Sequence, residues 1–210
     1  MVDLLLSRLD DVCVRLSEVW DTEYLPRCSN GSRLQFSLPS PTYTFSPRNR
    51  YTVYGDTKLP GAVSNEKQPS IFPFLVCQMS TRDTQPKVDI DSDLYLAMSK
   101  MLHIFASVGI FSLRVFGLLC KGSKFSIYTG RLSTLNPRAS LSTRYRTEIQ
   151  LIFQINITEK EHPKSLEKFH FVNSEVLERF RMLCNILWAI LHEGKKRIYE
   201  AIDTRIKDIT

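Results

Sequence analysis

The stretch IFPFLVCQ, residues 71–78, decides the fold of this sequence. It is continuously apolar apart from Pro73, until it ends at Gln78. A short apolar run that is rich in β-forming residues is typical of a strand buried on both faces. Because proline has no N–H to donate to a neighbouring strand, Pro73 is expected at the start of this strand. The run therefore predicts a central strand in a sheet with helices packed on it.

Three helices are predicted around this strand. Residues 3–20 place apolar side chains at helical spacing, which indicates an amphipathic helix with one buried stripe. A second helix is predicted over residues 89–107. Aspartates at its start can cap backbone amides and interact favourably with the helix dipole. Residues 174–207 form the third, and Gly194 is expected to break or bend it.

Further strands are predicted from runs of β-branched, aromatic and other apolar residues, at 51–55, 111–119, 124–131 and 148–157. Lys121-Gly122-Ser123 lies between two of these runs and predicts a tight hairpin. Residues 24–47 and the basic, Ser/Thr-rich residues 132–146 are predicted to be irregular, with a short strand near residues 34–38.

The order of these elements predicts an α/β fold in a single domain, residues 1–210, with a mixed central β-sheet flanked by helices. Residues 1–22 would be its N-terminal helix. The hydrophobic and charged fractions, 43% and 24%, are ordinary for a soluble globular protein and argue against long disorder. The five cysteines contain no CxxC pair, which argues against a zinc ribbon and favours buried free thiols in a reducing compartment.

The sequence contains neither a recognisable signal peptide nor a predicted membrane span. Its first residues lack the positive start and the cleavage site of a secretory leader. The most apolar stretch, residues 101–120, contains Arg114 and a predicted turn at Gly109. We therefore expect an intracellular protein, cytoplasmic or nuclear, with no membrane partner.

The motifs in this order resemble a known family. They are Val53-Tyr54-Gly55, the run from Phe72 to Cys77, the helix of residues 94–107, the hairpin of residues 111–131 and Asn185-Ile186-Leu187-Trp188. Together, over residues 45–207, they resemble the PD-(D/E)XK nuclease-like domains found in many fungal proteins. The resemblance implies a restriction-endonuclease-like core.

The chemistry of this family depends on residues that the sequence lacks. The resemblance implies an Asp and an Asp or Glu that bind Mg²⁺, and a Lys that activates water. The Pro-Asp position falls on Arg50 and Tyr51, the acid of the ExK motif falls on Gln78, and its lysine falls on Ser80. We therefore expect a degenerate site with no catalytic residue, no metal and no cofactor.

Basic residues provide a second set of candidate binding positions. They are Arg131, Arg138, Arg144, Arg146, Lys195, Lys196 and Arg197. Such residues can bind phosphates without reading a base sequence, and the net charge of +6 favours a polyanionic partner. Tyr145 lies beside them in sequence and can stack on a base. The alternative is that these residues form an ordinary solvated face.

Three functions remain open from the sequence. The first is a non-catalytic nuclease-fold protein that binds DNA, RNA or a protein through the former active-site face and the basic loop. The second is a protein-interaction or effector module with no nucleic-acid role. The third is a Mg²⁺-dependent nuclease in which Asp56 or Asp83 replaces the lost carboxylates. Function depends on the site and not on the fold, so the sequence leaves all three open.

Overall fold

The architecture comes from a computed structural model, which describes residues 12–20, 40–47, 70, 72–80, 90–134, 145–157 and 174–207. In these residues the chain forms one mixed sheet and two helices, as the predicted α/β fold requires. The elements are β1 Val12–Leu16, β2 Tyr43–Pro47, β3 Leu75–Ser80, α1 Ile90–Ser107, β4 Val115–Lys121, β5 Lys124–Thr134, β6 Tyr145–Asn156 and α2 Ser174–Lys207. Neither helix is both long and apolar enough to cross a membrane.

The six strands follow one another across the sheet in the order of the sequence. Strands β3 and β4 are parallel, and every other neighbouring pair is antiparallel. Parallel neighbours need a crossover connection, and α1 provides it. The predicted central strand is confirmed as β3, in which Leu75, Val76 and Cys77 are buried. Pro73 lies two residues before it.

Helix α1 confirms the second predicted helix and packs closely on β4. A Cβ atom added to Gly117 would lie 2.5 Å from Met98 Sδ. The glycine therefore makes room for the helix. Asp91 and Asp93 lie in the first turn, as predicted. Gly109, with a φ of 83°, ends the helix, because Ile110 N donates to Phe105 O at 2.9 Å and Gly109 N donates to Ala106 O at 3.0 Å.

Helix α2 is continuous through Gly194, so the predicted break at this glycine is wrong. Gly194 is buried, and a Cβ atom there would lie 3.1 Å from Phe74 Cδ2. The missing side chain allows the helix to approach the sheet closely. Leu191 and Ile198 are buried on the same side of the helix.

The predicted hairpin is confirmed, with Lys121 opposite Lys124 and a φ of 58° at Gly122. The strand that precedes the turn begins at Val115, four residues later than predicted. Strands β5 and β6 are longer than predicted and pair as far as Thr134 and Tyr145. The prediction of an irregular segment at residues 132–146 is therefore wrong at both of its ends, because cross-strand pairing extends into them.

The N-terminal prediction is wrong in the described part of residues 3–20. Residues 12–16 form β1, which pairs with β2 from Val12 opposite Pro47 to Leu16 opposite Tyr43. Val12 and Val14 are β-branched and suit a strand. The apolar residues have helical spacing, but pairing with β2 makes this segment a strand. For the same reason Tyr43–Pro47 is a strand and not irregular. The strands predicted at residues 34–38 and 51–55 lie outside the described residues.

The segment after β1 covers one side of the core. Trp20 and Lys100 are both fully buried, and Lys100 Nζ lies 5.8 Å from the centroid of the Trp20 ring. A cation over an aromatic face is favourable, and more so when water is excluded. Glu18 is also buried, and its Oε1 accepts a hydrogen bond of 2.8 Å from Ser70 N.

The cysteines are free thiols in the part of the chain that the structure describes. Cys77 and Cys120 are buried, whereas Cys13 and Cys184 are half-buried, so full burial was predicted correctly for only two of these four. Cys28 lies outside the described residues. The Sγ atoms of Cys77 and Cys120 are 4.0 Å apart. Their hydrogen bond, together with burial, raises the pKa of Cys77 well above its ordinary value, which keeps this thiol protonated.

Candidate functional site

Polar side chains collect at the two opposite ends of the parallel strand pair. The Gln78 end comprises Gln78 and Ser80, where β3 finishes, and Lys121, where β4 finishes. The Arg197 end lies before β4 begins. Residues 109–113, Arg197, Glu200 and Thr204 line a cleft there. Arg114, Arg131, Tyr145 and Arg146 lie at the same end of the sheet. From Arg114 to Lys121 the two ends are roughly 20 Å apart along β4.

At the Gln78 end, the glutamine takes part in strand pairing. Gln78 Oε1 accepts a hydrogen bond of 3.2 Å from Thr42 N, and Met79 N donates to Thr42 Oγ1 at 3.0 Å. The amide therefore satisfies a backbone group where β2 meets β3. Ser80 is half-buried beside it. Arg50, Tyr51, Asp56 and Asp83 lie outside the described residues.

Lys121 lies at this end, opposite Lys124 in the hairpin, and it is already paired with a carboxylate. It lies opposite Ser80 in the parallel register, and its Nζ is 2.8 Å from Asp91 Oδ1 in the first turn of α1. The carboxylate thus faces both the lysine and the amino end of the helix, where negative charge is favoured. Among the described residues, no group of three or more His, Cys, Asp or Glu side chains is placed to share a metal ion.

The Arg197 end contains an open cleft of about 540 Å³. One wall is the turn between α1 and β4, residues 109–113, and the other is the last part of α2. Arg197, Glu200 and Thr204 line the second wall. Their spacing of three and four residues places them on one face of the helix. Thr204 Oγ1 donates a hydrogen bond of 2.7 Å to the backbone oxygen of Glu200 in the same helix.

An aromatic pair connects the cleft to β6. The rings of Phe111 and Tyr145 stack with centroids 4.7 Å apart and an interplanar angle of 19°. Phe111 lines the cleft and keeps 37% of its surface exposed, while Tyr145 is half-buried at the start of β6. Phe111 therefore stacks on a residue of the sheet and keeps part of its surface exposed.

Exposed arginines lie at the same end of the sheet, and Arg131 and Arg146 project from the face opposite Tyr145, because side chains alternate along a strand. Arg131 Nε is 2.9 Å from Glu148 Oε2 across β5 and β6. Arg146 follows Tyr145 and is exposed. Arg114 is also exposed, and the pairing of Val115 with Gly130 places it next to Arg131. A hydrogen bond from Ser133, then one from Arg131, lowers the pKa of Glu148 below its ordinary value, so this carboxyl is ionised at neutral pH.

The structure brings together two of the predicted basic residues, Arg131 and Arg146, which both act on Glu148, and it places Arg197 separately in the wall of the cleft. Lys195 and Lys196 lie on α2 rotated by roughly 200° and 100° from Arg197, so they do not share its face. Neither of them lines the cleft. Arg138 and Arg144 are outside the described residues.

Sequence reasoning missed Phe111, Arg114 and Glu200 as site residues. Phe111 and Arg114 were counted as parts of a strand, because apolar and polar residues alternate from Phe111 to Val115, but the strand begins only at Val115. Glu200 lies one helical turn after Arg197, and that spacing was the signal that could have found it. Comparison of the chain with protein-family models, curated proteins and solved structures gave no match.

Proposed function

We propose that this protein is a non-catalytic, nuclease-like protein that binds nucleic acid through its Arg197 end. One observation carries the proposal: Arg197 and the exposed ring of Phe111, which stacks on Tyr145, line one open cleft. The exposed Arg114, Arg131 and Arg146 lie at the same end of the sheet. Guanidinium groups bind phosphates in a sequence-independent way. Aromatic faces stack on bases of any sequence. A guanidinium group and an aromatic ring in one cleft therefore suit the phosphate and the base of a nucleotide.

The Gln78 end supports the non-catalytic part of the proposal. A neutral amide stands where the family resemblance implies a metal-binding carboxylate, and its oxygen already accepts a hydrogen bond from Thr42 N. Ser80 has no ammonium group to assist an attacking water. Lys121, the cation nearest in register, is paired with Asp91. We therefore place binding at the Arg197 end and not at the positions of the family's active site.

The test is a titration of fluorescent single-stranded and duplex DNA and RNA, at about 50 and about 200 mM salt, with and without Mg²⁺. The wild-type chain is compared with the triple variant R114A/R146A/R197A. We expect the wild type to bind more weakly at higher salt and the triple variant to lose at least about tenfold in affinity, with a shallower salt dependence.

The matched control is Arg181→Ala, which removes the same side chain from the same helix about 24 Å away from Arg197. Arg181 is exposed and only 3.9 Å from Glu178, so its loss should neither unfold the helix nor reduce binding. An equal loss in the control would mean that net charge alone drives binding. Cleavage that requires Mg²⁺ would favour a nuclease that uses Asp56 or Asp83. No binding at low salt would favour a protein-interaction module.

A further inference from the structure

We propose that the cleft at the Arg197 end binds one unpaired nucleotide of a single strand, with its base on Phe111, its phosphate at Arg197 and an amino group of the base donating to Glu200. This inference rests on the function proposed above. It goes further by naming the form of nucleic acid, the binding position of one nucleotide and a preference among bases.

The size and shape of the cleft fit a single nucleotide. Its volume of about 540 Å³ lies within the range of roughly 300–1,000 Å³ that is usual for sites that bind small molecules. The cleft is open and lies just before the start of β4, so one base of a single strand can enter it. A base in a duplex is stacked and paired, and it must be extruded before it can enter such a cleft. The geometry therefore favours single strands.

The aromatic pair provides a rigid surface for the base. Tyr145 supports Phe111 from the side of the sheet, at a centroid distance of 4.7 Å. Because β5 and β6 hold Tyr145 in place, little side-chain freedom should be lost when a base stacks on the pair. Stacking of this kind contributes to binding of single strands without sequence preference.

The charges of the cleft distinguish a nucleotide from a simple anion. Arg197 and Glu200 are neighbours on one face of α2, so the cleft carries a cation and a carboxylate side by side. A site for phosphate alone would be weakened by the carboxylate. A nucleotide uses both charges, because its phosphate accepts from the guanidinium while an amino group of its base donates to the carboxylate.

The carboxylate also predicts which bases bind best. Adenine, cytosine and guanine carry exocyclic amino groups, whereas uracil and thymine carry carbonyl oxygens at the same edge. A carboxylate attracts the first group and repels the carbonyls of the second. We therefore expect oligo(A) and oligo(C) to bind more tightly than oligo(U).

The experiment measures fluorescence anisotropy with oligo(A), oligo(C), oligo(U) and a blunt duplex of equal length. Phe111→Ala should weaken binding of single strands by about tenfold and leave duplex binding and the salt dependence unchanged. Phe111→Trp retains an aromatic face and should retain affinity, which separates loss of stacking from loss of folding. Glu200→Ala should remove the discrimination between oligo(A) and oligo(U), while Arg181→Ala should preserve it.

The outcomes separate this inference from the function on which it rests. If single strands and duplex bind equally, and Phe111→Ala changes neither while R114A/R146A/R197A weakens both, the nucleotide site is wrong and nucleic-acid binding stands. If neither form binds at low salt, both proposals fail. If free adenosine monophosphate displaces oligo(A) at an equal concentration of nucleotides, the cleft binds a monomer and the strand assignment is wrong.

Discussion

The two ends of the parallel strand pair differ in how their polar groups are used. At the Gln78 end the polar side chains bind other groups of the protein: Gln78 accepts a hydrogen bond from Thr42 N, and Lys121 pairs with Asp91. At the Arg197 end, a cleft is lined by a cation, a carboxylate and an exposed ring. The difference shows that a family resemblance can point to one part of a molecule while the groups available to a ligand lie in another.

The largest effect on stability is expected where α2 meets the sheet beside the Arg197 end. Gly194→Val would force a branched side chain against Phe74, where even a Cβ atom comes within 3.1 Å. Overpacking of this kind costs about 1–3 kcal/mol. Urea unfolding followed by circular dichroism would measure the loss. The same variant should weaken nucleic-acid binding, because α2 forms one wall of the cleft.

Gly194→Ala is the matched control for this substitution. It adds only the Cβ atom, and the higher helix propensity of alanine, about 1 kcal/mol, offsets part of the crowding. We expect it to fall between the wild type and the valine variant in unfolding free energy. A valine variant as stable as the wild type would show that Phe74 does not fix the position of α2.

A smaller effect, limited to stability, is expected at the Gln78 end. Gln78→Ala removes the acceptor for Thr42 N and should cost about 0.5–1.5 kcal/mol of unfolding free energy. Gln78→Glu keeps an oxygen acceptor and should cost less. Both variants should bind nucleic acid as the wild type does, measured in the same anisotropy titration. A loss of affinity in either would mean that a ligand reaches the Gln78 end and would remove the contrast between the two ends.

The smallest effect is a gain at the Arg197 end. Glu148→Gln removes the carboxylate that pairs with Arg131 at 2.9 Å, so affinity for nucleic acid should rise by about two- to fivefold. Hydrogen bonds from Ser133 and Arg131 lower the pKa of Glu148, so the carboxylate is charged throughout the neutral range. The gain should therefore be constant at neutral pH and disappear in acid as the wild-type carboxyl becomes protonated. A loss of affinity would show that Glu148 positions Arg131 for binding.

The elements with strong local signals were predicted from the sequence. The apolar run at β3, the aspartates in the first turn of α1 and the glycine turn between β4 and β5 each depend on a few neighbouring residues. Strands β1 and β2 could not be predicted in this way, because β1 is a strand through pairing with β2, and β2 through pairing with β1 and β3. Ser46 is buried in β2, although serine is more typical of turns and loops.

The same distinction applies to the candidate site. Arg131, Arg146 and Arg197 were selected by charge, which is visible in the sequence. Phe111 was not selected, because its role depends on contact with Tyr145, 34 positions further along the chain. The pairing of Lys121 with Asp91 likewise arises only when α1 crosses from β3 to β4. Contacts between distant parts of the chain therefore determined which of the polar residues line a cleft.

The parallel pairing of β3 with β4 also has a consequence for the order of folding. Strands β4 and β5 meet through a two-residue turn, whereas β3 pairs with β4 across 41 positions of the chain, from Leu75 to Phe116, with α1 between them. Closure of distant contacts is slow compared with formation of a hairpin. We therefore expect amide protons of β4 and β5 to gain protection from hydrogen exchange earlier in refolding than those of β3. Because the cleft needs the turn after α1 and the end of α2, the capacity to bind should appear among the last steps, after most of the sheet has formed.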